Sequence, residues 1–317
     1  MPNDTGFVPP QARTDTLEVA LAGLTATPKT LPAMLFYDDE GCRLFYEITR
    51  LPEYYLTRTE TALLHAIAPS AVPDELRDAA LVEFGGSDET KARILLDCSN
   101  TPFNTYVSID VAAPALTAMQ ARLAQTHPDL TVVPIVADFM QPLRLPKFGA
   151  SCMGFFPGST IGNLDPAAAT AFLASARLSL GDGSWFLLGA DLRKSQEILL
   201  PAYNDAAGVT AAFNLNLLRR INREAGANFD LHGFRHEAIW NDRQSRIEMH
   251  LISLRNQTVS LGGRTLTFLE GESIHTENSY KHTPAKLVDI AGKAGWETWK
   301  VWKDHAGLFG VMLLRDA

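Results

Sequence analysis

Apolar positions in this chain follow one rhythm for its first 190 residues and another afterwards, and the change marks two kinds of structure. Leu17 to Leu24 is apolar at helical spacing, and Pro28 and Pro32 break the run. Arg43 to Ile48 predicts a short helix halted near Pro52, and Thr59 to Ile67 a second, with Thr57 or Thr59 as its cap. Short apolar runs at Leu81–Phe84, Tyr106–Asp110, Leu130–Val136, Cys152–Phe156 and Ser184–Ala190 then predict five strands. Helical stretches at Lys91–Asp97, Ala112–Gln125 and Ala167–Leu180 fall among them. Strand and helix alternating at this spacing imply an α/β fold, a parallel sheet with helices on both faces.

Past Asp191 the pattern changes. Ala211–Glu224 reads as a long helix, and Arg246–Leu254 and Thr265–Leu269 alternate like antiparallel strands. Pro284–Ala294 returns to a helix, and Trp299–Trp302 and Leu308–Leu314 predict two closing strands. The expected organisation is a central α/β domain over 58–193 plus 281–317, with a second α+β lobe from 1–57 plus 194–280. No internal repeat or low-complexity tract interrupts it.

Ligands of parallel sheets lie beyond the carboxyl ends of the strands. Gly85, Asp110, Asp138, Gly158 and Asp191 fall at those ends. Gly85-Gly86-Ser87 lets the backbone approach a ligand closely. The dinucleotide pattern GxGxxG is absent, with Ser87 and Thr90 at the later glycine positions, which argues against a pyrophosphate seat and a nicotinamide-dependent oxidoreductase. Asp110 can accept both ribose hydroxyls of a nucleoside, and Asp138-Phe139 offers an acceptor for an exocyclic amine and a ring for an adenine face. Taken singly, each acid reads as a helix cap or a solvated strand end. Three at successive strand ends suit an adenosyl ligand without pyrophosphate, and S-adenosylmethionine fits.

The formal charge of −8, a pI near 5.5 and the lack of a dense Lys/Arg run exclude nucleic acid and anionic membrane surfaces as expected partners. Cys42, Cys98 and Cys152 are widely spaced and form no CxxC pair, so a reduced compartment is expected rather than a disulfide framework or a zinc site. Met1 to Arg13 lacks an apolar core, and no run is long enough to span a bilayer, so the expectation is a cytoplasmic monomer. His232 and His236 stand four apart and could share a helix face, but no third ligand accompanies them, and no metal is expected.

Longer motifs carry a resemblance. They are Phe36-Tyr37-Asp38, Leu51-Pro52-Glu53-Tyr54-Tyr55, the run Gly158-Ser159-Thr160-Ile161-Gly162-Asn163-Leu164 and the run from Tyr203 to Asn214. Trp240-Asn241, Arg246-Ile247-Glu248-Met249 and Glu277-Asn278-Ser279-Tyr280-Lys281 belong with them. In this order, from about Gly23 to Leu314, they resemble the L-histidine Nα-methyltransferases of ergothioneine biosynthesis. The resemblance implies a Rossmann-like methyltransferase domain with a substrate-binding lobe. It also implies three successive methyl transfers from S-adenosylmethionine to the α-amine of L-histidine, giving hercynine. It implies Asn163 and Tyr203 at the substrate carboxylate, and Tyr54, Glu277 and Ser279 at the imidazole. Tyr37 would stand near the amine, with Gly158 and Thr160 lining the same pocket and Phe45, Phe213 and Met249 as apolar wall. Lys91, Asp110, Asp138 and Phe139 would surround the cofactor, beside Gly85.

One departure bears on the cofactor. The family's first glycine loop usually reads Gly-Ser-Gly-Thr-Ser, and here Gly85-Gly86-Ser87-Asp88-Glu89 replaces it, with two acids. Methyl transfer from a sulfonium needs a neutral amine aimed in line at the methyl. Tyr37 and Asn163 are suitable groups to orient it, and tyrosine faces can stabilise the cation that grows with each transfer. Glu277 and Ser279 can pair with the two imidazole nitrogens. Two alternatives stay open at this point: a related enzyme acting on another amino acid, and an adenosyl-ligand binder impaired by the altered loop.

Overall fold

A computed structural model describes residues 16–86, 88–98, 101–146 and 151–316. Ser87 and the polar, proline-bearing start of the chain, residues 1–15, lie outside the described residues. The elements begin with α1 (Thr16–Leu24), β1 (Lys29–Thr30), α2 (Asp39–Ile48) and α3 (Tyr55–Ala71). The alternating stretch follows as β2 (Ala79–Phe84), α4 (Thr90–Leu96), β3 (Phe103–Asp110), α5 (Ala113–Thr126), β4 (Thr131–Val136), β5 (Cys152–Phe156), α6 (Pro166–Leu180) and β6 (Trp185–Asp191). Then come α7 (Gln196–Tyr203), α8 (Val209–Ala225), β7 (Phe234–Asn241), β8 (Arg246–Ser253), β9 (Gln257–Leu261), β10 (Arg264–Phe268) and β11 (Ser273–Tyr280). The chain closes with α9 (Pro284–Lys293), β12 (Trp296–Lys303) and β13 (Phe309–Asp316).

These elements divide into two compact units, residues 1–48, 204–238 and 248–277 in the first and the remainder in the second. The second is built on a seven-stranded sheet ordered β12-β13-β6-β5-β2-β3-β4. The five strands from β6 to β4 run parallel, and β13 and β12 join antiparallel at the β6 edge. Every residue of β2, β5 and β6 is buried, because helices cover both faces of the sheet; this is why these strands read as unbroken apolar runs. Leu64, Leu81, Leu95, Met153 and Leu187 pack one face, and Val82, Ile109, Phe156, Leu173 and Ile290 the other. The strand order reverses between β2 and β5, so a crevice is expected where their carboxyl ends part, at Gly85 and Gly158.

The first unit holds α1, α2, α8, the β9–β10 hairpin, and β1 with most of β7, β8 and β11 in the order β1-β11-β8-β7. Helix α8 buries Phe213, Leu217, Leu218 and Ile221, and Phe213 stacks on Phe36 with ring centroids 4.4 Å apart.

Two local readings need correction, and one helix went unread. Helix α3 starts at Tyr55, and Tyr54 takes the cap position without a side-chain hydrogen bond, so neither Thr57 nor Thr59 is the cap. Helix α7 was hidden by Pro201, which reads as a breaker and sits inside it. His232 belongs to a short 3-10 turn and His236 to β7, so the two share no helix face.

Candidate active site

In the second unit the backbone turns sharply after β2 and after β5. Gly85 has φ +81, Gly158 φ +79 and Ser159 φ +58, a left-handed geometry that glycine adopts without strain and serine does not. The Gly158 turn is braced from beneath by Glu60 of α3, whose carboxylate is almost wholly buried and accepts the Gly158 N–H at 2.8 and 2.9 Å. Lys91, at the start of α4, donates to the same carboxylate. Thr160 bonds back to the Pro157 carbonyl at 2.9 Å, and Asn163 ends the 3-10 turn that follows. A Cβ built on Gly158 would stand 3.4 Å from the Thr160 hydroxyl and 3.5 Å from the Lys91 ammonium. The turn therefore leaves a space framed by polar groups that any side chain at 158 would enter.

Asp110, at the end of β3, is half-buried; burial raises its carboxyl above the usual range, and one oxygen accepts from the Ala112 N–H at 2.8 Å. Asp138 is exposed and accepts from the Met140 N–H at 2.9 Å. Phe139 lies edge-on to Phe156 and Phe172, and a Cβ on Gly85 would meet its ring at 3.4 Å. The acids that replace the family's glycine loop both turn to protein partners. Asp88 accepts from the Thr90 N–H at 2.8 Å. Glu89 grips Arg122 with both oxygens, which holds its carboxyl below the usual range.

A buried polar network lies at the end of β6. Lys281, fully buried, donates to Tyr203 Oη at 2.7 Å and Ser279 Oγ at 2.9 Å and forms an ion pair with Asp191 Oδ2 at 2.8 Å. Tyr203 and Ser279 share a hydroxyl–hydroxyl bond of 2.8 Å. Asp191 also accepts from Tyr55 Oη at 2.7 Å and from Lys194 at 2.5 Å. Burial pulls Lys194 down to about 8 against the attraction of Asp191, and the same desolvation drives the Tyr55 phenol far above its ordinary value. Asp191 donates its own N–H to Ser159 Oγ at 2.9 Å, which ties the network to the Gly158 turn. Tyr54 packs edge-on against the Tyr203 ring at 6.3 Å.

In the first unit, Tyr37 is partly exposed and edge-on to Phe45 and Phe213, at 6.2 and 6.3 Å. Its neighbour Asp38 anchors the segment to α8 by accepting from Asn216 and Arg223, both at 2.7 Å. Met249 is buried, and Glu277 is half-buried near the end of β11. Glu248, His250 and His275 group their ligand-type atoms within 4.8 Å of one another, a cluster that the sequence spacing did not announce. Glu248 and His250 already share a hydrogen bond of 3.2 Å, and the His250 ring stacks on His275 at 4.8 Å, so protein contacts account for the grouping.

Of the residues expected at the site, the second unit carries Tyr54, Gly85, Lys91, Asp110, Asp138, Phe139, Gly158, Thr160, Asn163, Tyr203 and Ser279; the first carries Tyr37, Met249 and Glu277. Sequence reasoning missed Glu60, Asp191 as a network centre, Lys194 and Lys281. Glu60 had a signal: it sits on the apolar stripe of α3 with Leu56, Leu63, Leu64 and Ile67. A cavity of about 240 Å³ in the same unit, lined by Arg193, Ser245, Tyr280, Lys281 and His282 among others, holds none of the expected residues.

The family described as histidine-specific, S-adenosylmethionine-dependent methyltransferase matches residues 16–316. The chain is 41% identical over 297 residues to histidine N-alpha-methyltransferase of Mycolicibacterium smegmatis, covering 92% of each chain. It is 39% identical to the Mycobacterium tuberculosis enzyme of the same name, again over 92% of each chain. A more distant relative, 4-dimethylallyltryptophan N-methyltransferase of Penicillium roqueforti, is 28% identical over 89% of this chain and 88% of its own. Among solved structures, an S-adenosylmethionine-dependent methyltransferase of Clostridium acetobutylicum superposes with a TM-score of 0.50 at 11% identity, over 86% of this chain and 98% of that one, which shows a shared fold. No helix among the described residues is long and apolar enough to cross a membrane.

Proposed function

This chain belongs to the histidine-specific, S-adenosylmethionine-dependent methyltransferases, and from that premise we propose that it trimethylates the α-amine of L-histidine to hercynine, the first step of ergothioneine biosynthesis. S-adenosylmethionine is the methyl donor and supplies an electrophilic methyl on a sulfonium. The residues present fit it: Gly85 leaves a side-chain-sized space before the Phe139 ring, and Asp110 offers a desolvated carboxylate that hydroxyl donors would satisfy. Asp110 would take the ribose, Asp138 and Phe139 the adenine, and Gly85 and Lys91 the methionine end.

On this reading Asn163 and Tyr203 hold the substrate carboxylate, and Tyr54, Glu277 and Ser279 hold the imidazole. Tyr37 and Asn163 orient the neutral amine, Gly158 and Thr160 line the pocket, and Phe45, Phe213 and Met249 provide apolar wall. Each transfer removes an N–H donor and leaves a bulkier cation, which the faces of Tyr37 and Tyr54 can stabilise. The first unit falls within the segments 1–57 and 194–280, the proposed substrate lobe. We place the enzyme in the cytoplasm as a monomer without a nucleic-acid partner.

The observation that carries the reading is the bond between Tyr203 and Ser279, which makes the group assigned to the carboxylate and a group assigned to the imidazole one hydrogen-bonded pair. A site built to bond a polar substrate rejects analogues that leave its groups unpaired. Glu277 suits an imidazole N–H and is a poor wall for an indole, which favours histidine over a tryptophan-type substrate. The test is mass spectrometry of the purified protein with S-adenosylmethionine and each of the twenty amino acids. Three methyls on histidine alone are expected, together with lost preference in Glu277→Ala. Methylation of a different amino acid, or a Glu277→Ala enzyme that keeps full preference, refutes the assignment.

A further inference from the structure

We propose that Lys281 is a positioning residue that makes this enzyme select free amino acids: its buried ammonium acts through the Tyr203 hydroxyl to anchor the substrate carboxylate. The inference rests on the reading that Tyr203 meets that carboxylate, and it goes further by naming what gives Tyr203 its polarity.

Hydrogen-bond direction carries the first half of the argument. An ammonium has three donors and no acceptor. Lys281 donates to Tyr203 and Ser279, is ion-paired with Asp191, and is fully buried. Both hydroxyl oxygens are therefore acceptors toward Lys281, and their protons must turn away from it. One of those protons lies in the Tyr203–Ser279 bond. The other is directed away from the ammonium, so the pair presents a donor polarised by a cation at its back. Charge-assisted donors of this kind favour an anionic acceptor.

Charge balance carries the second half. Within this network two ammonium groups, Lys281 and Lys194, share the single carboxylate of Asp191. Their side chains are 0% and 7% exposed, and that of Asp191 is 0%. Tyr55 adds a donor and no charge. Asp304 exerts a weaker pull on Lys194. A buried cation in excess of its partners is unfavourable unless an anion completes it. A substrate carboxylate held on Tyr203 would supply that charge; the amide of the same amino acid would not.

The experiment compares kcat/KM for L-histidine and L-histidinamide in the full-length protein. The two substrates differ in amine basicity, and taking the ratio between wild type and variant removes that difference. Lys281→Met should lower the histidine-to-histidinamide preference about tenfold or more, through the KM for histidine, because the donor at Tyr203 loses its charge. In a Tyr203→Phe background the same change should move the preference less than about twofold, since the intermediary is gone. Calorimetric binding of S-adenosylhomocysteine checks that the variants are folded. Lys194→Met gives a second route that leaves the Lys281–Asp191 pair intact. It removes the excess cation together with the Lys194 hydrogen bonds to the Tyr55 hydroxyl and the Leu192 carbonyl, and it should still lower the preference severalfold in protein that binds S-adenosylhomocysteine normally. Histidine and histidinamide declining in parallel in both variants would mean a merely structural role and overturn the inference. So would an unchanged preference, with the functional reading left standing. A wild-type protein that leaves histidine unmethylated would overturn that reading and this inference together.

Discussion

Replacing Asp191 with asparagine keeps the shape at the end of β6 and removes the one carboxylate that two buried lysines share. Part of the loss does not depend on pH. Tyr55 and Lys281 each lose an anionic acceptor, which costs about 2 kcal/mol together. The rest passes through Lys194, whose ammonium sits at about 8 with Asp191 in place. Without the carboxylate the folded protein sheds that proton instead of burying it unpaired. The extra cost is then capped at the distance from the working pH to that value. At about 1.4 kcal/mol per pH unit this is about 3 kcal/mol at pH 6, about 1 at pH 7 and near zero at pH 9. The sign follows from proton counting. A lysine depressed in the folded state binds fewer protons there than in the unfolded chain, so stability rises with pH between the folded and unfolded values. The variant extends that window downward, and its deficit narrows as pH climbs toward 8. Asp191→Asn should therefore be less stable than wild type by about 5 kcal/mol at pH 6 and about 2 at pH 9, measured by urea unfolding followed by circular dichroism. A Lys194→Met background should abolish the pH dependence. A deficit that is the same at pH 6 and pH 9, or below about 1 kcal/mol at both, would refute the account.

Glu83 is buried in β2, where it accepts from the Tyr106 hydroxyl, and burial raises its carboxyl to about 8. A carboxyl raised in the folded state costs stability as pH rises from its unfolded value toward its folded one. Thermal melts should therefore show Glu83→Gln gaining on wild type by about 3–5 kcal/mol between pH 4.5 and pH 8.5; no relative gain would mean that Glu83 is ionised in the fold. Glu60→Gln keeps an acceptor for the Gly158 N–H but leaves Lys91 without its counter-charge. Calorimetry should show S-adenosylhomocysteine binding weakened about tenfold, and an unchanged affinity would separate Glu60 from the cofactor side of the site.

The central sheet was legible because β2, β5 and β6 are buried on both faces and so read as apolar runs too short for a helix and bounded by turn residues. Strands β7 and β11 were not. In Phe234–Asn241 only Phe234 is buried, and in Ser273–Tyr280 burial alternates from Ser273 to Glu277 but the buried positions include Thr276 and Ser279, so neither run shows an apolar alternation. The strand-end acids could be listed from sequence, but their partners could not. Asp110 and Asp191 stand at equivalent places, and only the fold shows one half-buried and the other enclosed by two lysines. Nothing in the run Ser279-Tyr280-Lys281 announces a lysine that is wholly inside, since lysine is almost always solvated and its burial depends on partners distant in sequence. Long motifs carried the family more surely than any single residue did.

The two compact units also share one thread. The chain passes between them at 48/49, 203/204, 238/239, 247/248 and 277/278. No single cut releases either unit as a continuous polypeptide, so neither can be acquired, lost or traded as a cassette in the way that end-to-end domains can. Glu277 and Ser279 stand on opposite sides of the last of these junctions, separated only by Asn278. New substrate preferences in such a protein must arise by replacing side chains within a fixed path of backbone. Chimeras between relatives should succeed only when every exchanged segment of a unit travels together.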